Sequence, residues 1–203
     1  MLLVAVCALA VLSPLVAGRW SAALLVNRWR HAGLIWATLA LQVVATEVPL
    51  PGALAPVLHV GTYVVALAFL WFNRHVAGAL VVAAGAASNG ITIALNGGVL
   101  PAAPGAVAAA GLDHGDGFAN SAVVADPLLP WLGDVFAWPA PLPLANTFSV
   151  GDVLIALGVV VAAWTGTRRL GEGPPPPAEQ AARATGDADT SGSATPGAPT
   201  ATA

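Results

Sequence analysis

Glu47, His59, Asn89, Asn96 and Asp152 are ionisable or amide side chains set within or at the ends of long apolar runs. Polar groups in such surroundings are costly to bury, so they mark where function is to be sought. A histidine beside Glu47 or Asp152 would change charge near neutral pH, which suits proton, ion or small-ligand handling. Gln42, Thr62, Thr92 and Ser149 are the supporting polar residues of the same level. Thr38, Gln42 and Thr46 recur every four residues and share one helix face, and Asn89, Thr92 and Asn96 form a second stripe. Together they outline an expected outer polar pocket.

The same residues also have a purely architectural reading. Asn and Gln between apolar helices act as hydrogen-bonding glue worth about 0.6 kcal/mol each. Ala86, Gly90, Ala94 and Gly98 repeat every four residues as a small-residue ridge for close helix contact. Ser149 followed by Asp152 three positions on is the pattern of a helix N-cap with an acid on the positive end of the helix dipole.

The elements that must position these groups are apolar helices. The 203-residue chain is 57% hydrophobic and only 8% charged, with a mean hydropathy of +0.79. Soluble domains carry about a quarter charged residues, so the deficit points to lipid as solvent. Apolar runs at 1–17, 33–48, 55–72, 76–95 and 150–166 approach the roughly 17–25 residues of a spanning helix. The expected fold is therefore an all-α integral membrane bundle of five transmembrane helices within residues 1–170. All seven basic residues are arginines. Arg19, Arg28, Arg30, Arg74, Arg168 and Arg169 follow runs one, three and five, whereas 49–54 and 97–149 hold none. The positive-inside rule then puts the N-terminus outside and the C-terminus in the cytoplasm of a bacterial plasma membrane. That orientation brings Glu47, His59, Asn89, Asn96 and Asp152 to one outer level. Residues 1–17 lack the charged start of a cleaved signal peptide.

Outside the runs, 97–149 is an apolar external loop in which Asp126-Pro127 and the stretch from Leu128 to Trp138 predict a short interfacial or re-entrant helix. Residues 171–203, with four consecutive prolines at 174–177, predict a disordered cytoplasmic tail. Asp113-His114-Gly115-Asp116-Gly117 lacks the alternating ligands and terminal Glu of a calcium loop, so no metal is read from it. No phosphate loop, nucleophile elbow, metalloprotease helix or paired cysteine motif is present. No cofactor is expected, and a net charge of −3 without a basic domain gives nucleic acid no footing.

His59-Val60-Gly61-Thr62-Tyr63, Asn96-Gly97-Gly98-Val99-Leu100-Pro101, Leu132-Gly133-Asp134-Val135 and Ser149-Val150-Gly151-Asp152-Val153 carry a resemblance. With these motifs the chain resembles an uncharacterised family of small bacterial multi-pass membrane proteins, over about residues 1–170. The resemblance implies no activity, substrate or catalytic residue. Locally, Gly97 and Gly98 suit a helix end at positive φ, and Pro101 prevents continuation.

The leading expectation is a non-enzymatic membrane component whose partners are membrane lipids and either itself or another membrane protein. The alternative is binding or transport of a small solute, lipid or ion through the outer polar pocket. A membrane-embedded enzyme is the third reading, and it requires Glu47, His59 and Asp152 to converge.

Overall fold

The computed structural model describes residues 2–48, 51, 54–112 and 121–171, with Thr46 and Glu47 described by their backbone alone. Residues 1–170 form one compact unit. The Asp113–Gly117 loop lies outside the described residues, as does the expected tail from residue 172 onward.

The described chain is mostly helical. Helix α1 (Leu2–Leu12) runs into a 3-10 turn at Ser13–Ala17, strand β1 (Arg19–Trp20) and a one-turn helix α2 (Ala22–Leu25). Helices α3 (Gly33–Glu47), α4 (Leu54–Phe72) and α5 (Ala79–Leu95) follow in antiparallel succession. After β2 (Leu100–Pro101), α6 (Pro104–Ala110) and β3 (Ser121–Ala122) come the hairpin strands β4 (Asp134–Trp138) and β5 (Asn146–Ser149). Helix α7 (Val150–Trp164) and β6 (Arg168–Arg169) complete the fold.

The helices pack side by side in the spatial order α3, α4, α5, α7, α1. The first helix thus lies on the last, and β1 pairs antiparallel with β6 through Arg19–Arg169 and Trp20–Arg168. Arg19 reinforces this end by donating to Thr167 Oγ1 at 2.7 Å and to its carbonyl at 3.0 Å.

Each of the five apolar runs is a helix, but α4 alone among the described helices has both the length and the apolarity to cross a bilayer. The others are apolar stretches of 10–17 residues. The shortening has local causes: Pro14 tightens α1 into a 3-10 turn, and Gly78, at φ 84°, delays the start of α5.

The interfacial helix expected at 128–138 does not form. Pro130 starts only a three-residue 3-10 turn, and 134–138 is a strand paired with 146–149. Cross-strand contacts support the hairpin, with Asp134 buried and Phe136 stacked on Phe148 at 5.3 Å. The Asp126-Pro127 pair caps no helix.

Burial departs from the usual order. Beside alanines and a few large apolar residues such as Phe69, Ile93 and Leu100, the interior holds polar side chains, with His59, Asn73, Asn89, Thr92 and Ser149 all buried. The surface carries Trp36 at 70% exposure, Leu9 at 67% and Val64 at 63%, values that would be costly in water.

Candidate functional site

The expected outer polar level is divided into separate hydrogen-bonded groups. The first joins α5 to the start of α7. The Ser149 amide donates to Asp152 Oδ2 and the Asp152 amide to Ser149 Oγ, both at 3.0 Å, forming a reciprocal capping box. Asn89 closes the ring from α5: its Nδ2 donates to Asp152 Oδ1 and its Oδ1 accepts from Ser149 Oγ, each at 2.9 Å. Gly151 makes room for that amide, because a Cβ there would come within 2.6 Å of Asn89 Cγ. The architectural reading of Ser149 and Asp152 therefore has its geometry in full. Asp152 does not pair with His59; its carboxylate sits at the helix N-terminus, where the backbone dipole favours negative charge.

The second group lies between α3, α4 and the end of α5. His59 is 1% exposed, and its Nδ1 lies 2.8 Å from the Gly98 carbonyl. Since a carbonyl only accepts, Nδ1 is the protonated nitrogen of this contact. Thr62 Oγ1 donates to the His59 carbonyl at 2.7 Å and lies 3.1 Å from Gln42 Oε1, within hydrogen-bond distance, so it joins α4 to α3. Tyr63 packs beside the His59 ring at 5.7 Å. It lies against Gly90, where a Cβ would approach the tyrosine ring carbon Cδ1 to 3.2 Å. Glu47 ends α3, and its side chain lies outside the described residues.

Asn96 belongs to neither group. As the residue after α5, its Nδ2 donates back to the Thr92 carbonyl at 2.7 Å and outward to the Leu128 carbonyl at 2.9 Å. Its Oδ1 accepts the Leu128 amide at 2.8 Å, so the side chain grips one residue of the segment after β3 at two points. Thr92 is fully buried and bonds back to the Ser88 carbonyl of its own helix.

Sequence reasoning missed Asn73, the fully buried counterpart of Asn96 at the opposite end. Its Nδ2 donates to the Phe69 and Arg30 carbonyls and its Oδ1 accepts the Arg30 amide, all at 2.9 Å. The signal was available: each is an Asn immediately after the last apolar turn of a helix. Asp134 was noted only within a motif. It is buried, accepts from Thr147 Oγ1 at 3.2 Å, and so ties the hairpin together.

A cavity of ≈ 490 Å³ opens beside the second group. Gln42, His59, Thr62 and Tyr63 line one end, and Ile35, Leu39, Ala66, Phe69 and Leu70 continue it. Ala86 of α5 and Ile155 of α7 form its back wall, and Thr38 bonds to its own helix at the Leu34 carbonyl. Its size is that of a small-molecule site.

No curated protein and no solved structure matches this chain. Residues 27–164 match a family model, and the four sequence motifs all fall inside that stretch. By that match the chain belongs to a family of unknown function (DUF5317).

Proposed function

We propose that the protein is a non-enzymatic multi-pass component of a bacterial plasma membrane, with α1, α3, α4, α5 and α7 crossing the bilayer. The observation that carries this reading is the pattern of burial. Large apolar side chains cover much of the outside of the helices, while amides, hydroxyls and an imidazole lie buried among alanines and a few large apolar residues. In water the exposed apolar surface would be unfavourable by about 25 cal/mol per Å², whereas in hydrocarbon it is neutral. Buried polar groups that bond one another are what a lipid-solvated interior requires.

Arginine placement supports the orientation. Arg19 lies with Thr167, Arg30 with Asn73, and Arg168 and Arg169 against β1, so these cations share the end reached by α1, α4 and α7. That end is cytoplasmic under the positive-inside rule, and the hairpin end is external. Helices of 15–17 residues reach only about 22–26 Å, so local bilayer thinning and flanking residues make up the difference from about 30 Å. Partners on this reading are membrane lipids and a second copy or another membrane protein.

The test is single-cysteine labelling in a Cys7→Ser background. Reagent impermeant to the membrane should reach a cysteine at Ala125 from outside, and one at His75 only after permeabilisation. Release of the protein by alkaline carbonate would sink the reading. The alternative, ligand binding at the outer level, is favoured by the cavity beside His59. An enzyme built on Glu47, His59 and Asp152 gains no support, because His59 and Asp152 belong to different groups.

A further inference from the structure

The cavity between α3, α4 and α5 has a direction. Its polar groups gather at the end near His59, and its far end toward Phe69 and Leu70 is apolar. The twelve residues from His59 to Leu70 span about 16 Å of helix, close to half of a roughly 30 Å hydrocarbon core. Polarity therefore falls along the groove as it does along one leaflet, with the polar end outward.

The polar end offers a hydrogen-bond donor. Tyr63 lines the cavity, and its hydroxyl has no hydrogen-bond partner among the described residues. Its ring is fixed between His59 and the Cβ-free surface of Gly90, so the phenol is held in place. The Thr62 hydroxyl is already engaged by the His59 carbonyl and Gln42. A ligand here must accept a hydrogen bond. It must also lack a negative charge, because the segments at this end, 49–54 and 97–149, contain no arginine or lysine.

We propose that this groove binds a neutral membrane amphiphile, with a carbonyl-bearing head accepting from Tyr63 and an apolar chain lying along Leu39, Ala66 and Phe69. The inference goes beyond the membrane reading and rests on it. Diacylglycerols and prenylated quinones share this chemistry, and the experiment separates them.

The full chain is reconstituted in phosphatidylcholine nanodiscs carrying a trace of photoactivatable diacylglycerol, prenylquinone or phosphatidylglycerol. Adducts are then mapped by mass spectrometry. One neutral probe should concentrate on α3 and α4 at the groove, above its labelling of the lipid-facing side of α5. Tyr63→Phe, which keeps the ring, should lower groove labelling about three- to tenfold, the loss of one hydrogen bond. Leu39→Trp should block the groove from a half-exposed position, and Ile91→Trp on α5 should leave it unchanged. The neutral probe that labels preferentially identifies the head group. Even labelling of all apolar helices, preference for phosphatidylglycerol, or indifference to both Tyr63→Phe and Leu39→Trp would overturn the groove while leaving the membrane reading intact. Absence of labelling on every helix would overturn both.

Discussion

The two sides of α5 are built on opposite principles. Toward α7 it meets backbone with backbone: Gly78 faces Gly158, and Gly85 faces Gly151. A Cβ on Gly85 would lie 2.9 Å from the Ile155 amide nitrogen, and one on Gly158 would lie 2.7 Å from that of Val82. The Asn89–Ser149–Asp152 ring locks the end of this seam at the start of α7. Toward α4 and α3 the same helix leaves a cavity of ≈ 490 Å³ beside Tyr63. The glycine seam leaves no room to move, and the open side gives up packing for a space that a ligand can enter. Close backbone contact and open space thus lie on two sides of one helix.

The comparison is broken most directly at its glycines. Gly85→Ala should destabilise the protein by about 1–3 kcal/mol through overpacking. Gly61→Ala on α4 meets open space and should be neutral or stabilising by up to about 1 kcal/mol. Thermal unfolding of both variants in one detergent checks the contrast. Equal losses would mean that α5 and α7 are not in backbone contact.

A comparable effect is expected at the polar lock. Asn89→Leu removes the amide from a buried hydroxyl and a carboxylate, at a cost of about 1.5–3 kcal/mol. A double-mutant cycle with Asp152→Ala should show strong coupling, since the two touch. The corresponding change on the open side is Gln42→Leu, which removes the contact with Thr62 and for which about 0.6 kcal/mol is expected. If the order of these two were reversed, the assignment of the open side to binding would lose its basis.

The clamps give the finest test. Asn96→Ala should raise hydrogen exchange at the Leu128 amide without affecting Arg30, and Asn73→Ala should do the reverse. Each should cost about 1–2 kcal/mol. Their effects should add, because the two lie at opposite ends and share no partner.

Much of the helical layout was legible. The apolar runs at 33–48, 55–72 and 150–166 correspond closely to α3, α4 and α7, because glycine, proline and arginine bound them. The Ser149–Asp152 box was legible for the same reason, being local in sequence. The α5–α7 seam was not. The four-residue spacing of Ala86, Gly90, Ala94 and Gly98 drew attention to another face, whereas the glycines facing α7 repeat every seven residues. Of the former set, Gly90 and Gly98 contact Tyr63 and Pro56 of α4, and Ala94 is exposed. The hairpin was hidden because the apolar residues 135–138 read equally as part of a short helix, and their partner strand lies beyond three prolines. The division of the outer polar level was invisible too, since helix order in space, not depth, decides which polar groups meet.

The placement of α1 against α7 has a consequence for how the protein is made. Helix α1 has as its chief neighbour α7, which is synthesised roughly 140 residues later. At about 5–20 residues per second it waits on the order of 7–30 s for that partner. Leu2–Leu12 is suited to the delay, because it carries no amide, charge or hydroxyl that needs a protein partner. The polar contacts that fasten it, Ser13 to Trp164 and Arg19 to Thr167, form only when α7 arrives. Synthesis and assembly are thereby uncoupled at α1, and docking of α7 becomes the step that secures it.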